Sequence, residues 1–211
     1  MFMFIIIIFC IFHINNYVLD TYSKNDVKLF DIVHYHSPQQ LIEFGYVSDF
    51  LTIMLLAHTI YKLYVKLIYF HDTNIYYFFK CLVLCQTVRK IITIMTILPD
   101  PSGICNEKPF KIILGRCNDL PVSGHASTSI LCYFFLREYG EENFIYYYVL
   151  INCMIIILVR NHYTIDVIFA FFMTSYLYQH FKYKKLIFFD STNNTNFSNN
   201  YLKTNLIRVF A

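Results

Sequence analysis

Residues 144–181 read FIYYYVLINCMIIILVRNHYTIDVIFAFFMTSYLYQHF, two long apolar runs joined by a short polar turn. Each run is close to the roughly 17–25 helical residues that cross about 30 Å of hydrocarbon. The pattern therefore predicts a helical hairpin, with spans near 144–160 and 164–181. His162 stands at its tip and Asp166 lies one turn into the returning helix. Four more apolar windows lie near residues 1–18, 46–69, 76–98 and 123–138, so six spans are expected.

Composition points the same way. The 211 residues are 57% hydrophobic and only 15% charged, with 22 Phe and 19 Tyr. A soluble domain of this size carries roughly a quarter charged residues, and the deficit calls for a solvent other than water. The expected fold class is an all-α integral membrane protein, a six-transmembrane-helix bundle. Residues 1–18 read as a first transmembrane helix, shortened at its start; they lack the basic n-region and A-x-A-like site of a signal peptide. Residues 19–182 form the body of the chain. Residues 183–211 read as a cytoplasmic tail, Asn/Ser/Thr-rich and largely disordered from Phe189 onward.

The net charge of +3 is small and scattered, which excludes nucleic acid as a partner. Seven cysteines without a C-x-x-C pair or a His/Cys ligand spacing argue against a zinc site. Basic residues set the orientation. Lys62, Lys66, Lys80, Arg137, Lys182, Lys184 and Lys185 fall near span ends on one side. Lys24, Lys28, Lys108, Lys111, Arg116 and Arg160 spread over longer loops on the other. The compact HFKYKK after the last span puts both termini in the cytoplasm, so the 160–164 turn faces the lumen or exterior. The second and third spans also carry Asp49, Lys62, Lys66, Lys80, Arg89 and Lys90. Lysines near helix ends snorkel, whereas Arg89 and Lys90 lie deeper, and an intramembrane cation is a functional hypothesis by default.

In this topology CNDLPVSGHAS, residues 117–127, brings His125 to the start of the fourth span, at the same membrane face as the 160–164 turn. Two histidines 37 positions apart (162 minus 125) thus share a depth. His162 and Asp166 are spaced i, i+4, one above the other on a helix face. A carboxylate on one imidazole nitrogen fixes the tautomer and raises the basicity of the other, the preparation a nucleophile or base needs. His125, after Ser123-Gly124 at a helix N-terminus, sits where free backbone N–H groups attract an anion such as phosphate. The bland alternative is a hydrogen-bonded packing role, which is the reading for His13, His34, His36, His58, His71 and His180.

The string CNDLPVSGHAS resembles the C-G-D-x-x-x-S-G-H-T motif of the sphingomyelin synthases. HYTIDVIFAFFMT resembles their H-Y-T-x-D-V-x-x-A-Y-x-x-T motif. RKIITIMTILPDPSGICN is similar to a third family block, and KLFDIV at 28–33 stands where the family has Pro-Leu-Pro-Asp. The likeness covers about residues 28–182 and makes 19–182 a sphingomyelin synthase-like catalytic domain with a lipid phosphate phosphatase-like core. It implies a catalytic triad of His125, His162 and Asp166. In it His162 would take phosphocholine from phosphatidylcholine and ceramide would receive it. It also implies a Golgi or plasma-membrane protein, with Arg89, Arg160 and Arg116 as phosphate-binding cations and no cofactor or metal. Homo-oligomerisation is left open. Asn118, Ala126 and Phe30 depart from the family's Gly, Thr and Pro, and the 99–121 loop is short. Cys105 and Cys117 flank that loop on the lumenal or external face, where a disulfide is permitted.

Rival readings differ in the acceptor or the donor. Superfamily phosphatases use water, and tend to carry a Lys-x6-Arg-Pro block and an arginine six residues before the second histidine. Here position 156 is Ile and no Arg-Pro dipeptide occurs. A phosphatidylethanolamine donor would give ceramide phosphoethanolamine. An inactive lipid-binding scaffold should have lost a member of the triad, and all three stand.

Overall fold

The computed structural model describes residues 10–11, 13–14, 30–96 and 121–193, and it is all-α, with no strand among those residues. After a short helix α1 (Ile32–His36) and a 3-10 turn over 39–44 come α2 (Gly45–Phe70), α3 (Asn74–Met95), α4 (Gly124–Arg137), α5 (Glu142–Leu158) and α6 (Thr164–Asn193). The five long helices correspond to the second to sixth expected spans. The first, apart from residues 10–11 and 13–14, lies outside the described residues. So do Arg116, Cys105 and Cys117.

Helix α4 is the axis of the bundle, packed against α2, α3, α5 and α6. Its opening GHASTS explains this position. Small side chains let neighbouring backbones approach closely, and Gly124, Ala126, Ser127, Thr128 and Ser129 are all buried. At 14 residues it is about 21 Å long, too short to cross a bilayer unaided.

Buried and exposed surfaces run contrary to those of a soluble bundle. Outward-facing residues are largely apolar, including Phe50, Ile53 and Tyr61 on α2, Ile151 and Met154 on α5, and Phe169 and Phe172 on α6. The interior holds Leu63, Phe78, Leu131 and Ile156 together with buried Thr52, Thr59, Ser129, Asn152 and Thr174. The Asn152 amide donates to Thr52 Oγ1 and Ser129 Oγ, both at 2.9 Å, and so fixes α5 to α2 and α4 at mid-height. Among the described residues one helical stretch, 39–70, is long and apolar enough to cross a membrane by length and composition, and Asn143–Leu158 is a shorter apolar helix. Helices α4 and α5 fall short in length, at 14 and 17 residues, and α3 carries Lys80, Arg89 and Lys90.

The C-terminal end differs from expectation. Helix α6 continues through Asn193, past the 182 boundary and into the segment read as a disordered tail. The local reason is FKYKKLIFFD, a run of helix-forming and apolar residues that precedes the Asn/Ser/Thr-rich stretch.

Candidate active site

The two histidine motifs meet at one end of the bundle, and each part of SGH has its own local cause. Ser123 is the N-cap of α4, accepting from the Ala126 N–H at 3.2 Å, and this defines where the helix starts. Gly124 is required by close approach. A Cβ there would stand 2.2 Å from Arg89 Nη1 and 2.8 Å from its Cζ, so the nearly buried guanidinium lies directly on the glycine. His125 follows, with Nε2 2.7 Å from Oδ1 of Asp49 near the start of α2.

The turn carrying His162 is fastened on three sides. Helix α5 ends with Asn161 N–H donating to Ile156 O (3.1 Å) and Arg160 N–H to Ile157 O (2.9 Å), a Schellman closure with Arg160 at φ 56° where glycine is usual. Arg160 Nη2 donates to the carbonyls of His34 (2.6 Å) and Ser37 (3.2 Å), which holds a conformation that costs an L-residue about 1–2 kcal/mol. The Asn161 amide donates to Ser48 Oγ at 2.7 Å and Gly45 O at 3.1 Å, binding the turn to α2. Asp31 reaches in from before α1, accepting from the Thr164 N–H at 2.7 Å and the Thr164 hydroxyl at 3.0 Å. Burial would raise the Asp31 carboxyl, but these bonds and that from the His34 N–H outweigh it and hold the group below its ordinary range.

Asp166, fully buried, occupies the third position of α6. Its Oδ2 accepts from the Tyr163 N–H at 2.9 Å, which is half of a capping box. The same oxygen is 3.4 Å from His162 Nδ1, an electrostatic contact longer than a hydrogen bond. One carboxylate thus starts the helix and orients the histidine in front of it. The His125 and His162 rings stand 6.4 Å apart between centroids, edge to face. Burial lowers the His162 imidazole. Asp166 opposes that shift, and the nearby His125 and Arg89 lower it further, so the uncharged ring is favoured at neutral pH. Nδ1 of His125 and Oδ1 of Asp166 are buried without a hydrogen-bond partner among the described residues.

Of the expected site residues, then, His125, His162 and Asp166 lie together with Arg89 beside them. Arg160 is engaged with the carbonyls of the α1 region, and Arg116 is outside the described residues. No group of three His, Cys, Asp or Glu side chains among the described residues is placed to hold a metal ion. Two acids were underread from sequence. Asp49 had a signal, since it is an acid inside an apolar span. Asp31 had only the altered KLFDIV block.

Residues 116–184 match the family model described as PAP2 superfamily C-terminal. That stretch contains His125, Arg160, His162 and Asp166. It leaves out Asp31, Asp49 and Arg89, which the fold brings to it. Phosphatidylcholine:ceramide cholinephosphotransferase 2 of Homo sapiens is 36% identical over 67 residues, covering 29% of this chain and 18% of that protein. The Macaca fascicularis and Rattus norvegicus proteins of that name are 34% and 33% identical over the same length. The resemblance to the sphingomyelin synthases is thus borne out, over a stretch that spans less than a fifth of the length of these relatives. No solved structure matches the chain. The matches support an enzyme of the lipid phosphotransferase or phosphatase type.

Proposed function

We propose that this protein is a sphingomyelin synthase, moving phosphocholine from phosphatidylcholine to the primary hydroxyl of ceramide with diacylglycerol as the other product. The observation that carries this reading is the meeting of His125 with the His162–Asp166 pair, inside the stretch similar to ceramide cholinephosphotransferases. In the first step His162 Nε2 attacks phosphorus as the bond to the glyceride oxygen breaks, and His125 gives that oxygen its proton. In the second, neutral His125 takes the ceramide hydroxyl proton as the oxygen bonds to phosphorus and the P–N bond breaks. Arg89, pressed on Gly124 beside His125, is the favoured cation for phosphoryl charge. Arg116 and Arg160 are further candidates, and Arg160 would have to leave its two carbonyls to serve.

The outward apolar faces favour a bundle embedded in a bilayer with six spans, residues 1–18 supplying the first. In that arrangement 19–182 is the catalytic domain, both termini are cytoplasmic, and the site faces the lumen or exterior of a Golgi or plasma membrane. A phosphatase using water is kept as a second reading, because the matched model describes the wider superfamily.

The test is purified protein in detergent with fluorescent ceramide, no divalent metal, and phosphatidylcholine or phosphatidylethanolamine as donor. Fluorescent sphingomyelin from the choline donor is the expected product. Product only from the ethanolamine donor would reassign the head group, and ceramide-independent release of free phosphate would favour the phosphatase.

A further inference from the structure

We propose that Asp49 is the positioning residue of His125, holding the tautomer with the proton on Nε2 so that Nδ1 is the nitrogen that exchanges protons with substrate. The inference rests on the transfer reaction proposed above. Asp49 is 76 positions from His125 in sequence (125 minus 49) and on another helix, yet its Oδ1 lies 2.7 Å from Nε2. The other ring nitrogen is buried and has no hydrogen-bond partner among the described residues. A ring with one nitrogen engaged by a carboxylate and the other buried and vacant is set up to work through the vacant one.

Each histidine then faces a carboxylate, His125 that of Asp49 at 2.7 Å and His162, more loosely, that of Asp166 at 3.4 Å, and each acid comes from near the start of a helix. The groups around His125 are Asp49 on α2, Arg89 on α3, and His162 with Asp166 across the site. Among them Asp49 alone is a carboxylate in contact with the ring. Its negative charge steadies the imidazolium that forms when the ceramide proton is taken, and its fixed position keeps Nδ1 aimed at the departing oxygen. Throughout, Asp49 keeps its contact with Nε2, and the proton moves only between Nδ1 and the substrate oxygens.

The experiment compares two donors in the first turnover. With phosphatidylcholine the leaving glyceride oxygen needs a proton. With p-nitrophenyl phosphorylcholine, p-nitrophenolate departs without one. In Asp49→Asn, release of diacylglycerol should slow by about ten- to a hundredfold, the usual cost of losing an orienting carboxylate. The p-nitrophenol burst should change little, because general-acid help is not required. Asp49→Glu should restore most of the diacylglycerol rate. Equal losses on both donors would reduce Asp49 to a tie between α2 and α4 and overturn the proposal. If the wild type cleaves neither donor, the reaction reading fails, and the pair is judged by 15N histidine NMR with the His125 signal assigned through His125→Gln. Protonation at Nε2 that is lost in Asp49→Asn upholds the pairing, and protonation at Nδ1 in the wild type refutes it.

Discussion

The two ends of the bundle are built from the same side-chain types and are used differently. At the end remote from the histidine pair, Glu141 is held by Lys62 at 2.5 Å and His58 at 2.9 Å. There the Tyr139 hydroxyl donates to Asp72 at 2.6 Å, and Glu138 accepts from Tyr178 (2.5 Å) and pairs with Lys182 (2.9 Å). Every acid in that set meets donors, and the Lys62 and Lys182 side chains are 39% and 52% exposed. At the site end, Asp166 is fully buried with one oxygen unpaired, and buried His125 Nδ1 lacks a partner, among the described residues. Satisfied, solvated pairs clamp helix ends and gain little else. Buried titratable groups left incomplete are costly, and a cluster of them marks a candidate functional site.

His162→Ala should separate the two ends most sharply. Transfer should fall by about a thousandfold or more, as when a nucleophile is removed, while Glu141→Gln keeps near-normal turnover. Equal losses in a product-formation assay would dissolve the distinction. Next come two glycines. Gly124→Ala drives a Cβ into the Arg89 guanidinium, and the repacking, about 1–3 kcal/mol, should lower kcat/KM roughly ten- to a hundredfold. Gly140, at φ 81° in open space, should lose about 1 kcal/mol of stability as Ala, seen as a lower Tm with activity intact.

The pH responses should also part. His162, depressed below the ordinary 6.5 chiefly by burial, must be neutral to attack, so turnover should hold through pH 6.5 and fall only below it. Its contribution to stability has the same sign, complete above 6.5 and lost as pH falls through the lower folded value. For Glu141 burial acts to raise the carboxyl, but His58 and Lys62 prevail and keep it below the ordinary 4.5. Stability from that end should therefore persist to pH 4.5 and drop beneath it, a second, more acid step in a Tm-versus-pH series. The smallest effect expected is Tyr178→Phe, about 1 kcal/mol of stability from loss of the hydroxyl that donates to Glu138 and accepts a long contact from Lys182, with transfer unchanged.

Legibility from sequence followed distance along the chain. The hairpin around His162 and the i, i+4 pairing with Asp166 are local periodicities, and they emerged with the helix boundaries near 158 and 164. The helix start at SGH was equally local, and the structure adds that Ser123 caps it by accepting from the Ala126 N–H one turn on. The reach of α6 to Asn193 was missed because its polar C-terminal composition masked a helix-forming run.

The sequence by itself determined that the chain is helical and apolar, and that SGH and HYTID come to one face, because hydrophobic period and span length act within a single helix. Tertiary structure alone decided which acids besides Asp166 reach the site. Asp31 meets Thr164 and Asp49 meets His125 across separate helices. Such contacts depend on how helix faces are rotated against each other around the small residues of α4, and no local period records that rotation.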